Sequence, residues 1–384
     1  MQDIGSGPII LAPPGLVAFD REGKVPTTYS YNLGVQKKLP LDSVLDVSYV
    51  GSLGVHQIQL RNINAPAYGA AYLPQNQDPT LAASATPGAT ALPVDLLRPY
   101  QGFGDIQFHE PSSSSNYHSL QLSWNRRFRK GLLLGVTHTW SKVLGTQSAD
   151  RPGIAAFGAP NNFDQRRTNY GPLDFDRPHN FNVNWVYELP NFAKNKALGY
   201  AANNWQLSGI YRYQTGAPYN VGINVPGISP YTLTGTQTIE SARVALLGNP
   251  GLGRTTDPYR QFDPAAFGLP KTGSLSLESG RNFLYRNPIN SWDMSLSKEF
   301  RFTEKTKIEF RLDAFNALNH TQFDGVNSTI NFTSLTNPTP TNLASPNVIV
   351  NANGSINRAP LTGFGAVTSV RPPRNLQWSM RFEF

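Results

Sequence analysis

The sequence ends Asn375-Leu376-Gln377-Trp378-Ser379-Met380-Arg381-Phe382-Glu383-Phe384. Leu376, Trp378, Met380, Phe382 and Phe384 fall on even positions, and Asn375, Gln377, Ser379, Arg381 and Glu383 on odd ones. A period of two places each set on its own face of a β-strand. About ten residues at ~3.3 Å each, tilted by ~45°, cover the ~25 Å apolar band of an outer membrane. A terminal aromatic suits a lipid-facing girdle; a terminal strand of a soluble sandwich is the competing interpretation of the decapeptide alone.

Composition narrows the choice. Only 39% of the 384 residues are hydrophobic, yet 11% are aromatic, with 33 Gly and 31 Pro. Few aliphatics with many aromatics fit alternating strands joined by polar loops, whereas disorder would deplete the aromatics. There is no cysteine, which excludes disulfides and thiolate chemistry. No apolar run approaches the ~20 residues of a membrane helix. Met1–Pro14 lacks a basic n-region and is not a signal peptide. The net charge of +8 is spread over strand ends (Lys37 and Lys38; Arg126, Arg127, Arg129 and Lys130; Lys298, Arg301, Lys305 and Lys307) and forms no single patch for nucleic acid.

Eight further alternating runs precede the terminal one: Tyr29–Leu39, Ser43–Arg61, Tyr117–Phe128, Leu132–Val143, Pro178–Leu189, Asn204–Gln214, Ile289–Arg301 and Lys305–Leu318. Their connections go short, long, short, long throughout. A transmembrane barrel obeys that rule, with short periplasmic turns and long outer loops. Runs one, three, five, seven and nine then travel toward the periplasm, ending on Leu39, Phe128, Leu189, Phe300 and Phe384 as a lower girdle. Gly51 and Gly54 suggest a bend or bulge in the second run. The expected fold is therefore all-β, an antiparallel transmembrane β-barrel. Residues 1–26 are expected to be a loop remnant and 27–384 the barrel. Runs one and nine point the same way and cannot close an antiparallel barrel together, so the chain is expected to be the C-terminal part of a larger one, unless a strand hides within 215–288 or 343–371.

Several short segments carry a family resemblance. They include Tyr49-Val50-Gly51-Ser52-Leu53-Gly54 with Arg61-Asn62-Ile63-Asn64; Arg98-Pro99-Tyr100 with Gly102-Phe103-Gly104; Thr139-Trp140-Ser141-Lys142; and Asp176-Arg177-Pro178-His179. Further on come Phe262-Asp263-Pro264-Ala265-Ala266-Phe267, Gly280-Arg281-Asn282, Trp292-Asp293-Met294-Ser295 and Phe315-Asn316-Ala317-Leu318-Asn319-His320. Together they resemble the C-terminal barrel of TonB-dependent outer-membrane receptors, particularly the Oar-like branch that carries a carboxypeptidase-regulatory-like domain upstream. The resemblance implies a barrel of about 22 strands that imports a large nutrient. It implies as partners outer-membrane lipid, the barrel-insertion machinery, an extracellular ligand and, through an N-terminal plug not found in this sequence, the inner-membrane TonB complex. It also implies that Trp378, Met380, Phe382 and Phe384 form the assembly signal. An Oar-type adhesion barrel and a passive porin are the alternatives.

No catalytic, cofactor-binding or metal-binding residue is expected. Asp174, Asp176 and His179 lie close enough to suggest a metal or acid/base site, but a polar loop rim accounts for them. The loop tyrosines Tyr68, Tyr72, Tyr100, Tyr219, Tyr231 and Tyr259 are candidates to stack on a ligand or to pack the loops. Deleting Phe384 from the full-length protein is expected to lower the membrane-inserted, heat-modifiable fraction and leave ligand affinity unchanged; normal insertion with lost binding would refute the assembly role.

Overall fold

The computed structural model describes residues 12–148, 169–229, 232–236, 242–251, 257–274, 278–303, 306–345, 348–350, 356–358 and 361–384. Nine long strands form one antiparallel sheet in strict chain order: β1 (Thr27–Leu39), β2 (Ser43–Asn62), β3 (Ile106–Arg129), β4 (Leu132–Gly145), β5 (His179–Glu188), β6 (Trp205–Gln214), β7 (Ile289–Arg301), β8 (Lys307–Phe315) and β9 (Asn375–Glu383). β1 and β9 are its two edges, so among the described residues the outer edge of the terminal strand is unpaired. The short strands described within 215–288 and 343–371 pair with one another or with other loop segments, and among the described residues none joins this sheet.

The register explains why period-two sequences make this sheet. One row runs Leu132, Tyr187, Leu207, Leu296, Leu312, Trp378 through β4 to β9. Another runs Leu45, Trp124, Val136, Val183, Tyr211, Trp292 through β2 to β7. These residues share one face, and its large side chains are bare: Leu33 is 73% exposed, Trp378 76% and Phe384 94%. The opposite face is polar in the same continuous manner, as in Asp46, Ser123, Thr137, Asn182, Arg212, Ser291. Near the short turns Lys307 Nζ bridges Glu299 (2.7 Å) and Glu383 (3.1 Å), tying β7, β8 and β9 on this polar side. An apolar face nine strands wide is incompatible with water and suited to lipid.

Local chemistry fixes the short turns. Lys130 and Gly131 both have positive φ, 50° and 75°, in a two-residue connection between Arg129 and Leu132. That is the type I′ geometry whose twist matches a hairpin. Leu41 and Asp42 also have positive φ after Pro40, and Ser43 Oγ donates to the Pro40 carbonyl at 2.8 Å.

The structure departs from the sequence expectations in four places. β3 starts at Ile106, eleven residues before the expected Tyr117, because His109-Glu110-Pro111 and four serines show no period although their backbone pairs with β2. Leu16–Phe19 also lies parallel to Ile106–His109. Gly54 does adjoin a register shift, where His56 has φ 55°, but Gly51 stays in register. A Cβ on Gly51 would meet the Tyr31 ring at 2.1 Å, so this glycine makes room for an aromatic. The link between β5 and β6 contains a helix, α1 (Lys196–Ala202), capped by Asn195.

Gly209 serves Trp185 as Gly51 serves Tyr31: an added Cβ would stand 2.4 Å from the indole and 2.8 Å from the Asp293 carbonyl oxygen. Gly209→Ala is expected to lower the unfolding free energy in detergent or liposomes by about 1–3 kcal/mol, read by urea titration of tryptophan fluorescence.

Candidate ligand-binding site in the long loops

With one face of the sheet apolar outward and the other polar, the packed core lies elsewhere. Val221, Ile223, Val225, Leu233, Val244, Phe262, Phe267, Ile330, Phe332 and Phe364 form it, and all come from the connections after β6 and β8. Phe262, Phe267 and Phe364 pack as a trio with centroids 4.8–5.4 Å apart. Gly222–Asn224 pairs in parallel with Thr329–Asn331, which joins the two loops, while Phe323–Val326 pairs with Val367–Val370 inside the second one. The loop after β2 docks on the same body: Gly69 and Ala71 donate N–H bonds to the Thr234 and Gly235 carbonyls. The loops form a cap.

Polar staples seat this cap on the sheet. Buried Asn64 donates Nδ2 to the carbonyls of Tyr100, Phe103 and Gly104 and accepts the Tyr100 N–H at 2.7 Å. Arg98 reaches the Asn64 carbonyl and Asp105. Asp176, 0% exposed, accepts the Val143 N–H at 2.8 Å, Lys142 Nζ at 3.0 Å and the Tyr285 hydroxyl. Burial, then the bond to Asp176, raises the Tyr285 pKa. Arg281 donates to the Thr146 carbonyl at 2.5 Å, and Asn282 to Asp174 at 2.6 Å. Asp293 accepts the Asn316 N–H at 2.9 Å.

Below the cap, at the polar-face ends of β6 and β7, lies a cavity of about 500 Å³. Gln214 and Ile289 form its floor; Asp174, Arg177, Tyr219, Arg286, Asp324 and Arg371 supply its charged and aromatic wall. Arg286 lies over the Tyr219 ring, 5.8 Å from its centroid. Arg371 pairs with Asp324 at 2.7 Å, while its buried Nε has no partner among the described residues. Burial, with the Arg286 cation beside it, lowers the Arg177 pKa against the opposing pull of Asp176. Three guanidiniums against two carboxylates give the cavity planar, forked donors suited to a ligand carrying carboxylate or other oxyanion groups.

The structure separates the acidic residues that the sequence brought close. Asp176 is consumed by its staple and Asp174 binds Asn282. His179 is on the apolar face, stacked on His138 with ring nitrogens 3.3 Å apart. No cluster of three or more metal-capable side chains occurs among the described residues. Of the loop tyrosines, Tyr219 reaches the cavity. Tyr72 packs the cap instead, donating to the Thr232 carbonyl, and burial pushes its pKa up to about 12. Tyr259 is buried, Tyr100 is exposed, and Tyr231 lies outside the described residues. Sequence reasoning missed Arg286, Asp324 and Arg371, which stand alone in their segments and are gathered only by loop packing.

The profile of the family described as Outer membrane beta barrel domain matches residues 2–377. Among curated proteins there is no significant match. Two solved structures are similar in part. The outer membrane transporter YddB from Escherichia coli has 12% identity and a TM-score of 0.41 over 97% of this chain and 35% of its own. P. aeruginosa FpvA, solved bound to heterologous pyoverdines as an iron complex, has 9% identity and a TM-score of 0.37 over 94% of this chain and 27% of its own. The chain thus spans about a third of the length of the structures it matches.

Asp176→Asn removes the charge that holds Lys142 while keeping the acceptor for the Val143 N–H. It is expected to destabilise the seating of the cap by about 1–3 kcal/mol, read as faster hydrogen exchange or proteolysis in 169–178 and 278–288, with the sheet's own unfolding unchanged.

Proposed function

Because the chain belongs to the Outer membrane beta barrel domain family, and so resides in the outer membrane, we propose that it is the barrel wall of a TonB-dependent receptor of the Oar-like branch. In this proposal the long loops face the exterior and bind a large nutrient, and an N-terminal plug couples its uptake to the inner-membrane TonB complex. One observation carries the choice of importer over porin: the long loops do not stand apart around an open mouth. Among the described residues, the loops after β6 and β8 share an apolar core, the loop after β2 docks on it, and together they close over a charged cavity on the polar side of β6 and β7. A passive pore has no use for a packed cap, whereas a receptor must bind before it admits. The sequence segments resembling that receptor family include two of the staples described above, Asn64 with Arg98–Gly104 and Lys142 with Asp176.

The cap also serves an adhesion barrel, and coupling to the inner membrane separates the two. Site-specific crosslinking of the full-length protein in cells to the periplasmic domain of TonB is expected to give a discrete adduct. An inserted, folded protein that forms no adduct would overturn the importer and leave the adhesion function.

A further inference from the structure

The helix α1 lies against the apolar face of the sheet at its short-turn end, and the two enclose a groove of about 720 Å³. Tyr200 and Ala197 of α1 form one wall; Trp205, Leu296, Phe310 and Trp378 form the other. The helix is held there by bonds at its C-terminus. Trp205 Nε1 donates to the Ala201 carbonyl at 2.7 Å, and Lys298 Nζ donates to the Asn203 carbonyl.

Lys298 is the unusual member. It stands on the lipid-facing side, in register between Trp205 and Phe310, and is 4% exposed. Its ammonium sits over the Phe300 and Trp205 rings, 4.9 and 5.7 Å from their centroids. Among the described residues no carboxylate comes within ion-pair distance of it. An ammonium has three donors, and one carbonyl and two ring faces leave its charge uncompensated. A cation in apolar surroundings requires an anion or access to headgroups.

We propose that this groove binds one glycerophospholipid of the periplasm-facing leaflet, its phosphate on Lys298 and one acyl chain along Leu296, Phe310 and Trp378. Three features select that occupant over a soluble ligand or a second copy of the chain. The groove is continuous with the lipid-facing band. It sits at the short-turn end, the level of the inner-leaflet headgroups. Of the two basic residues that line it, Arg311 belongs to the polar face by register and Lys298 to the apolar face, so Lys298 is the cation placed for a phosphate, and the apolar walls are complementary to a hydrocarbon chain. The bound lipid would fasten α1 to the wall.

Native mass spectrometry of the full-length protein, extracted in mild detergent from vesicles containing phosphatidylethanolamine, tests this. Retained phospholipid is expected to fall about fivefold in Lys298→Met, to recover in Lys298→Arg, and to fall in Ala197→Trp, which fills the groove and keeps the cation. Heat-modifiable mobility reports whether each variant is folded. Equal retention in folded Lys298→Met and Ala197→Trp would overturn the proposal. Should those variants fail to insert, wild-type protein in vesicles with a photoactivatable acyl chain decides. Adducts on Tyr200 and Leu296 support the site; adducts confined to the rest of the apolar face, or crosslinked protein dimers through α1, overturn it.

Discussion

A wall standing in lipid has no solvent to satisfy its backbone, so each strand must bond its neighbours along its whole membrane depth. The rest of this molecule follows from that constraint. The nine strands pair in chain order with long unbroken registers, and the register shifts lie beyond Gly54 in the loop-side part of β2 and next to the Lys130 turn. A slip of one residue would turn Trp378 and Leu312 to the polar side and Arg311 and Ser379 into lipid. Turns with positive φ, bulges at the margins and glycines that yield to a crossing aromatic keep the register from slipping.

The same constraint moves ordinary protein packing to one end. Lipid already solvates the apolar side chains of the wall, so burying them against one another brings little of the hydrophobic gain that water provides. The loops are in water, and there the phenylalanines and valines do collect into a core. Between the two regimes lies a belt of buried polar contacts: Asn64 with 98–104, Asp176 with Lys142 and Tyr285, Arg281 with Thr146, Asp293 with Asn316. Each long loop leaves or re-enters the wall through one of these, which places the charged cavity directly over the polar face.

The wall was legible in the sequence because its signal is local. Alternation in ten-residue windows and the rhythm of short and long connections placed all nine strands, with most ends within two residues. Ile106–Asn116 escaped because serines beyond the lipid have no apolar face to display. The helix α1 escaped because seven residues with one capping asparagine carry too little periodicity. The cavity was the least legible part. Arg286 and Arg371 are separated by a whole loop and two strands, and nothing near either announces the other; the short family-like segments marked the staples, which hold loops rather than ligands. Asp174, Asp176 and His179 show how closeness in sequence misleads: the two carboxylates hold different loop contacts before the strand begins, and His179, its first residue, faces the apolar side.

Housing the apolar core in the cap and the hydrogen-bond ladder in the wall gives the two parts different thermal behaviour. Burial of hydrocarbon from water carries a large heat-capacity change and weakens on cooling. Strand pairing inside a bilayer is not governed by that term. The mouth of this molecule is therefore its temperature-sensitive part: cooling loosens the union of Phe262, Phe267 and Phe364 while the strands beneath keep their register.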